Sequence, residues 1–402
     1  MFLRDGATAQ VPECRRPQVH LPCRIVNGVR APRWVLGVTA LTLAACGRSQ
    51  EPNEADGAEW ALSAPIVVAG GERAGDPPLG AVTAIALNRA GTLAVADGSN
   101  NRILFSDSTG ALRAVFGREG RGPGEFGRLT GLAACADGSF VAADYGTKVV
   151  QLSANGGFVR EHPTEWAYGD LIGCLTTDTL LILRTVGGLP FVGSGLHRRP
   201  ATIVRWVVSH DRVDTLARTA GTEYFYSRRG PYYLDLPLGA ATVAAATATR
   251  LIIAQTDTAE VRVYDVNGQL LQRPSLPLKR VPLSRERFGQ AVSERLARIP
   301  VASTRAIVAP IRDELPQPSH FPFFDTMVAD DSGRVWLRTF VEARAGMRQW
   351  AVYAENVWKG EAIHTPEELD VHAIRGRTLV GVVRRDGESD VVARYELIRR
   401  RP

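Results

Sequence analysis

Three features of this 402-residue sequence predict an all-β chain folded as a six-bladed β-propeller of four-stranded blades. The pattern "TAIALNRAGTLAVAD", Thr83 to Asp97, recurs 47 residues on as "TGLAACADGSFVAAD", Thr130 to Asp144, with Gly91 matching Gly138 and Asp97 matching Asp144. Weaker copies bring the count to six units, the last of them lacking a fourth strand. A spare strand, "APIVVAG" from Ala64 to Gly70, stands before the first unit, where ring closure would place it in that gap. Radial repetition of four-stranded units leaves only short, protected strand edges.

The chain begins with a segment that belongs to no blade. Arg24, Arg30 and Arg33 precede an apolar run from Trp34 to Ala45, in the order of a secretory signal and too short to span a bilayer. It ends in Leu43-Ala44-Ala45-Cys46, a tetrad that resembles the bacterial lipobox. That resemblance implies a mature chain beginning at Cys46, acylated there and anchored outside the cytoplasm. Residues 1–25 fit neither signal nor domain, and initiation near Val26 or Val29 would account for them. The division expected is therefore 1–45 extension and signal, 46–63 lipidated Cys and polar tether, and 64–402 propeller.

The net charge of +6 is uneven, because residues 1–45 hold six arginines against Asp5 and Glu13. What remains is too nearly neutral to trap a polyanion, so no nucleic-acid partner is expected. At 45% hydrophobic the chain can bury a large core. Cys135 and Cys174 each sit in an apolar, strand-like run and read as buried free thiols, with a disulfide between them left open.

Within the first two units, four strands are separated by turns at Ala90-Gly91, Ser99-Asn100 and Thr109-Gly110. Between these units lies "GREGRGPGEFGR", with Gly122, Gly124 and Gly127 in dinucleotide-fingerprint spacing. No helix can follow Gly127, since the repeat-matched strand does. Pro123 also removes a backbone donor, and Glu119 and Glu125 repel an anion. The loop is therefore a connector between blades, with Phe126 as its anchor. "DLIGCLTTDTLLILRT" with "TIVRWVVSHDRVDTLA" forms the third unit and Arg250 to Leu271 the fourth. The fifth opens with "TMVADDSGRVWLRTF", and "VHAIRGRTLVGVV" with "VVARYELIR" forms the last. Between the fourth and fifth, Phe288, Val292, Leu296 and Ile299 stand at helical spacing in a short insertion around 282–300, whose stripe would cover the propeller.

"GRGPGEF" between blades, "VADGSNNRI" and "VADDSGRVWLRT" together resemble bacterial six-bladed β-propeller proteins related to the NHL repeat. The resemblance spans Ala64 to Arg399, although the third and last units lack the Asp seen at Asp97 and Asp144. It implies an architecture and leaves function open, because such propellers include lyases, lactonases and binding modules.

For chemistry, the sequence has neither a His-Glu-x-x-His nor a Gly-x-Ser-x-Gly motif, and its histidines are scattered. Ser194 and His197 lie close together in a glycine-rich insertion that reads as an ordinary loop. The densest candidate is "EYFYSRRGPYY", whose Tyr224, Tyr226, Arg228, Arg229, Tyr232 and Tyr233 offer ring faces and guanidinium groups to a ligand, or else pack a long loop onto one face. The expected function is non-enzymatic: a lipid-anchored, cell-envelope propeller whose loops bind a protein, glycan or small molecule, without an identified cofactor. The alternative is a metal-dependent hydrolase or lyase with calcium or zinc at the channel, its ligands drawn from different blades. The signal itself is testable: mass spectrometry of membrane-extracted protein should find an acylated N-terminus at Cys46, and Cys46→Ser should leave unprocessed precursor or release the chain. An unacylated chain beginning elsewhere would dismiss the anchor.

Overall fold

The computed structural model describes residues 60–71, 77–164, 169–185, 193–230, 232–299, 301–341, 346–354, 361–385 and 388–399. All of these belong to one compact unit, Glu54–Pro402. The signal segment and Cys46 lie outside the described residues.

Two short strands come first, β1 (Trp60–Leu62) and β2 (Ile66–Ala69). The tether read as reaching residue 63 therefore gives way to strand at Trp60. Next, β3 (Val82–Leu87), β4 (Leu93–Asp97), β5 (Arg102–Ser106) and β6 (Leu112–Phe116) form an antiparallel sheet in chain order. A second such sheet holds β7 (Leu129–Ala134), β8 (Phe140–Asp144), β9 (Lys148–Leu152) and β10 (Phe158–Pro163). The third comprises β11 (Asp170–Thr176), β12 (Thr179–Thr185), β13 (Gly195–Val207), β14 (Arg212–Tyr226) and β15 (Tyr233–Asp235). It exceeds the expected four strands because β13 and β14 overhang the sheet and β15 pairs only with that overhang, Tyr224 opposite Asp235 and Tyr226 opposite Tyr233. The fourth has β16 (Thr242–Ala246), β17 (Arg250–Gln255), β18 (Val261–Asp265) and β19 (Leu270–Gln272).

After helices α1 (Arg285–Ala297) and α2 (Ala302–Val308), β20 (Phe324–Ala329), β21 (Val335–Thr339), β22 (Met347–Tyr353) and β23 (Glu361–Pro366) are paired in order. They are followed by β24 (Leu369–Arg375), β25 (Thr378–Val383) and β26 (Val391–Arg399). β1 lies between β23 and β26 and fuses these seven strands into a single sheet, and β2 pairs with β26, making it nine-stranded. The spare strand thus goes where the repeat count required, with Ile66 opposite Arg394 and Val67 opposite Ala393. The fold is all-β and propeller-like, with four-stranded blades and few helices. Buried clusters join each sheet to the next, and Val68, Val380, Val382 and Val392 pack against Val82, Val95 and Leu104 to join the last strands to the first.

One turn recurs six times and accounts for much of the repeat. Asn88, Asp107, Cys135, Ser153, Asp265 and Asp330 each exchange backbone hydrogen bonds with the residues three and four positions on, at 2.8–3.1 Å. The residue three on is always glycine, with φ between 82° and 94°. This is a tight turn followed by a left-handed residue, which an L side chain would strain. Where the first residue is Asn or Asp, its Oδ1 also accepts amide hydrogens within the turn, as Asp265 does from Asn267 (2.9 Å) and Gln269 (2.8 Å).

The glycine loop is the expected connector. Phe126 is fully buried in the cluster that holds Phe105 and Phe140. Gly117 has φ 87°, and a Cβ there would meet the Phe126 ring at 2.6 Å. The Glu125 carboxylate accepts the Gly122 N–H at 2.9 Å, so the supposed anion nest is filled from within the loop.

The free-thiol reading of Cys135 and Cys174 is corrected: the two are joined in a disulfide with 4.6 Å between Cα atoms. Both cysteines are buried at neighbouring ends of β7 and β11, where a lone bridge, Cys135 to Cys174, pairs the backbones. The sequence could not show that adjacent blades bring two residues 39 apart into register. Closing a loop of that length removes about 3–4 kcal/mol of unfolded-state entropy in the chain-entropy model. Denaturant unfolding of a Cys135→Ser, Cys174→Ser chain should show a loss of that order. Equal stability of variant and oxidised parent would mean the staple contributes nothing.

Candidate functional site

The aromatic and arginine stretch runs from the far end of the overhanging hairpin, Glu223 to Tyr226, into a turn at Arg228 and Arg229. Gly195 to Arg198 of β13 pair with Glu223 to Tyr226 of β14, so "VGSGLHRRP" is also largely strand. Period-two alternation divides the ribbon into two faces. Phe225 and Leu234 face the stripe of α1, where Phe288, Val292 and Leu296 are buried and Ile299 packs alongside. Ser284 caps that helix by accepting the Arg287 N–H at 3.1 Å.

On the other face Tyr224, Tyr226, Tyr233 and His197 form a ring cluster with centroids 5.6–6.0 Å apart. The Arg199 guanidinium lies over the rings of Tyr224 (5.2 Å) and Tyr233 (5.1 Å) and is paired with Asp235 at 2.8 Å. The cage is thus occupied by the protein's own cation. Burial pushes the Tyr224 phenol up, and neighbouring Tyr226 adds to the shift. The six residues expected to meet ligand therefore separate. Tyr224 and Tyr226 are buried in the cluster, the packing alternative for this stretch. Tyr233, although 44% exposed, contributes its ring to the cluster. Arg228, Arg229 and Tyr232 are exposed at the tip. The Glu314 carboxylate fastens that tip by accepting from Ser227 Oγ (2.9 Å) and the Arg228 N–H (2.8 Å), with Arg229 beside it at 3.3 Å. His197 Nε2 lies 3.0 Å from the Gly193 carbonyl and its ring is in the cluster, so the nearby Ser194 gains no base.

At the ribbon's root lies a cleft of about 270 Å³, bounded by Leu196, Glu223, Asp257, Arg280, His320 and Phe321. Asp257 is held by both terminal nitrogens of Arg198, at 2.8 and 3.2 Å, while Arg280 donates to the Asp257 carbonyl and lies over the Phe323 ring at 5.0 Å. Leu238 forms part of the wall with φ 57°. It follows Pro237 in a turn closed by the Gly239 N–H on the Leu236 carbonyl at 3.0 Å, in the position where glycine or asparagine usually provides positive φ. A leucine held there costs about 1–2 kcal/mol, and strain of this kind collects at ligand-binding positions. Sequence reading missed the cleft because its residues come from six separate segments, none conspicuous alone.

A second cavity, of about 650 Å³, is lined by residues of β3, β7, β11, β16, β20 and β24. Its wall is largely alanine and aliphatic, and it includes the disulfide. His372 also lines it, held down to about 4 by burial first and then by the Arg384 guanidinium, so the imidazole is neutral at pH 7. Near it, Arg338 bridges Asp325 (2.6 Å) and Asp370 (2.9 Å), and Arg384 reaches Asp370 and Asp390. Burial alone would raise Asp370, but Arg338, Arg384 and Arg348 hold it below the usual carboxylate range. Each carboxylate here already has a guanidinium partner. Among the described residues no three His, Cys, Asp or Glu side chains converge as metal ligands.

The division of the aromatic stretch is measurable by thermal or denaturant unfolding. Tyr224→Ala or Tyr226→Ala should cost about 3–5 kcal/mol, as for other buried aromatics. Arg228→Ala should stay within about 0.5 kcal/mol. Equal, small effects at all three positions would contradict the ring cluster.

No protein-family model matches the chain, and no curated protein matches it. Among solved structures it is similar to a protein from Bacteroides fragilis described as exported, at 12% identity and TM-score 0.50, with 84% of this chain and 95% of that one covered. It is similar to the same degree to a member of the DUF4221 family from Bacteroides vulgatus, at 8% identity and TM-score 0.50, covering 86% of this chain and 100% of that one. A streptogramin B lyase structure matches at 11% identity and TM-score 0.39, over 84% and 98% of the two chains. These likenesses concern the fold.

Proposed function

We propose that this chain is an exported, lipid-anchored, six-bladed propeller related to the NHL type, and that it binds a small polar or glycan ligand on one face without transforming it. The six-blade reading treats the nine-stranded sheet as two blades, β20–β23 and β24–β26 completed by β2, with β1 as a clasp between them. It is supported by the channel wall, which takes one strand from each of six units. Export and anchoring through Cys46 rest on the signal and lipobox-like tetrad, and the disulfide suits an oxidising compartment. Among the described residues no helix is long and apolar enough to cross a membrane.

The observation that carries the binding reading is the cleft beside Leu238. A strained, non-glycine turn residue lines it together with Arg280, His320 and Phe321. Apolar surface with a few convergent polar groups is the usual composition of a small-ligand site. Arg228, Arg229 and Tyr232 at the ribbon tip would extend contact to a longer ligand. A metal-dependent reaction at the channel has no converging ligand set among the described residues to support it.

The test is a glycan and small-molecule screen on the purified full chain, with titration calorimetry on the strongest hit. Arg280→Ala and His320→Ala should each weaken binding about tenfold, equivalent to about 1.4 kcal/mol. Leu238→Gly should lower affinity while leaving thermal stability nearly unchanged, because relieved strain offsets lost packing. A hit insensitive to all three changes, but lost with Arg228→Ala and Tyr232→Ser, would move the site to the ribbon tip.

A further inference from the structure

A cavity larger than the face cleft and the alanine-lined cavity lies elsewhere, at the ring's closure. It holds about 960 Å³ and is walled by β1 and β2, by β23 of the neighbouring unit and by β25 and β26. Alternation along β26 produces it. Val392 faces the other way, fully buried against the first sheet, while Val391, Ala393 and Tyr395 face the cavity. Deeper between the same strands Trp336, Trp350, Ile363 and Leu397 fill the wedge completely. Ala393, packed in that cluster, also lines the inner wall of the cavity.

Polar groups are confined to a few positions. Trp60, Leu62, Val67, Leu79 and Met347 are apolar walls, whereas Glu368, Arg385 and Glu388 supply charge and Ser63, His364 and Ser389 add polar groups. Arg385 and Glu388 are exposed and loosely paired at 3.7 Å, which marks the solvent side. The Tyr395 ring is buried, and burial, followed by the Glu368 carboxylate, pushes its phenol up, so the hydroxyl remains a donor across the physiological range. Two carboxylates against one guanidinium disfavour an anionic head group and leave acceptors for an uncharged or zwitterionic one.

We propose that this closure cavity is a binding site for a single-chain amphiphile, its apolar body between β1, β23 and β26 and its neutral or zwitterionic head among Glu368, Arg385 and Tyr395. The site is separate from the face cleft, so the failure of either assignment leaves the other standing.

The uncharged fluorophore N-phenyl-1-naphthylamine, titrated into the purified full chain, reports the apolar part. Lysophosphatidylcholine, zwitterionic, and laurate, anionic, are the competitors. Saturable fluorescence enhancement, displaced by lysophosphatidylcholine at lower concentration than by laurate, is expected. Ala393→Trp should abolish the enhancement by filling the cavity. Tyr395→Phe should leave it intact while weakening lysophosphatidylcholine displacement about fivefold, the scale of one neutral hydrogen bond. If Ala393→Trp does not fold, Val391→Phe tests the same wall, and lysophosphatidylcholine should raise the parent's unfolding midpoint in a concentration-dependent way. Undiminished fluorophore binding in a folded, cavity-filled variant overturns the site, and displacement by laurate at equal or lower concentration overturns the head-group assignment.

Discussion

The arrangement depends on a buried acceptor at the end of a blade's second strand that captures the backbone entering its first. Asp144 accepts the N–H groups of Gly127 (3.1 Å) and Arg128 (2.5 Å), immediately before β7. Asp97 accepts that of Gly80 (3.1 Å) before β3, and the Thr256 hydroxyl that of Ala241 (2.9 Å) before β16. Asp97 and Asp144 are almost wholly inaccessible to solvent, so the arrangement is all or nothing. A buried carboxylate without donors, or a buried amide without an acceptor, costs several times what the completed hydrogen bond contributes. Each such lock sets where the innermost strand starts, and hence how far the sheets splay around the channel.

Splay creates wedges that must be filled, and the fillings differ. Between the first two sheets the wedge holds Phe105, Phe126 and Phe140, with Phe126 delivered by the connector itself. Between the second and third it holds Trp206 and the disulfide. Between β23 and β26 the filling is incomplete, because the wedge is closed by a strand from the other end of the chain, with only β1 bridging across. Ring closure removes two strand edges and at the same place leaves an open cavity of about 960 Å³.

Departures from the repeat form the face. The overhang of β13 and β14 could not stand as a bare hairpin in water. It is held on one side by α1 and on the other by a tyrosine cluster around Arg199, with Glu314 clamping its tip. Most of the conspicuous aromatic chemistry is therefore used to support the ribbon. What remains for a ligand is the cleft at its root, where the chain holds Leu238 at φ 57°.

Strand periodicity, the Asp97 and Asp144 match and the glycine turns at Gly91 and Gly110 were legible in the sequence because each depends on neighbours within a few residues. So was the need for Ala64 to Gly70 to complete the last unit, which follows from counting strands. Pairing of Cys135 with Cys174, burial of Tyr224 and Tyr226, and assembly of the cleft from six segments were not legible. They depend on which residues adjacent sheets bring face to face, and that is set by connector length, the splay of each wedge and the register of β13 on β14. Local periodicity specifies which way a side chain points within its own strand; what it meets there is decided by the tertiary structure, because the partner comes from another part of the chain.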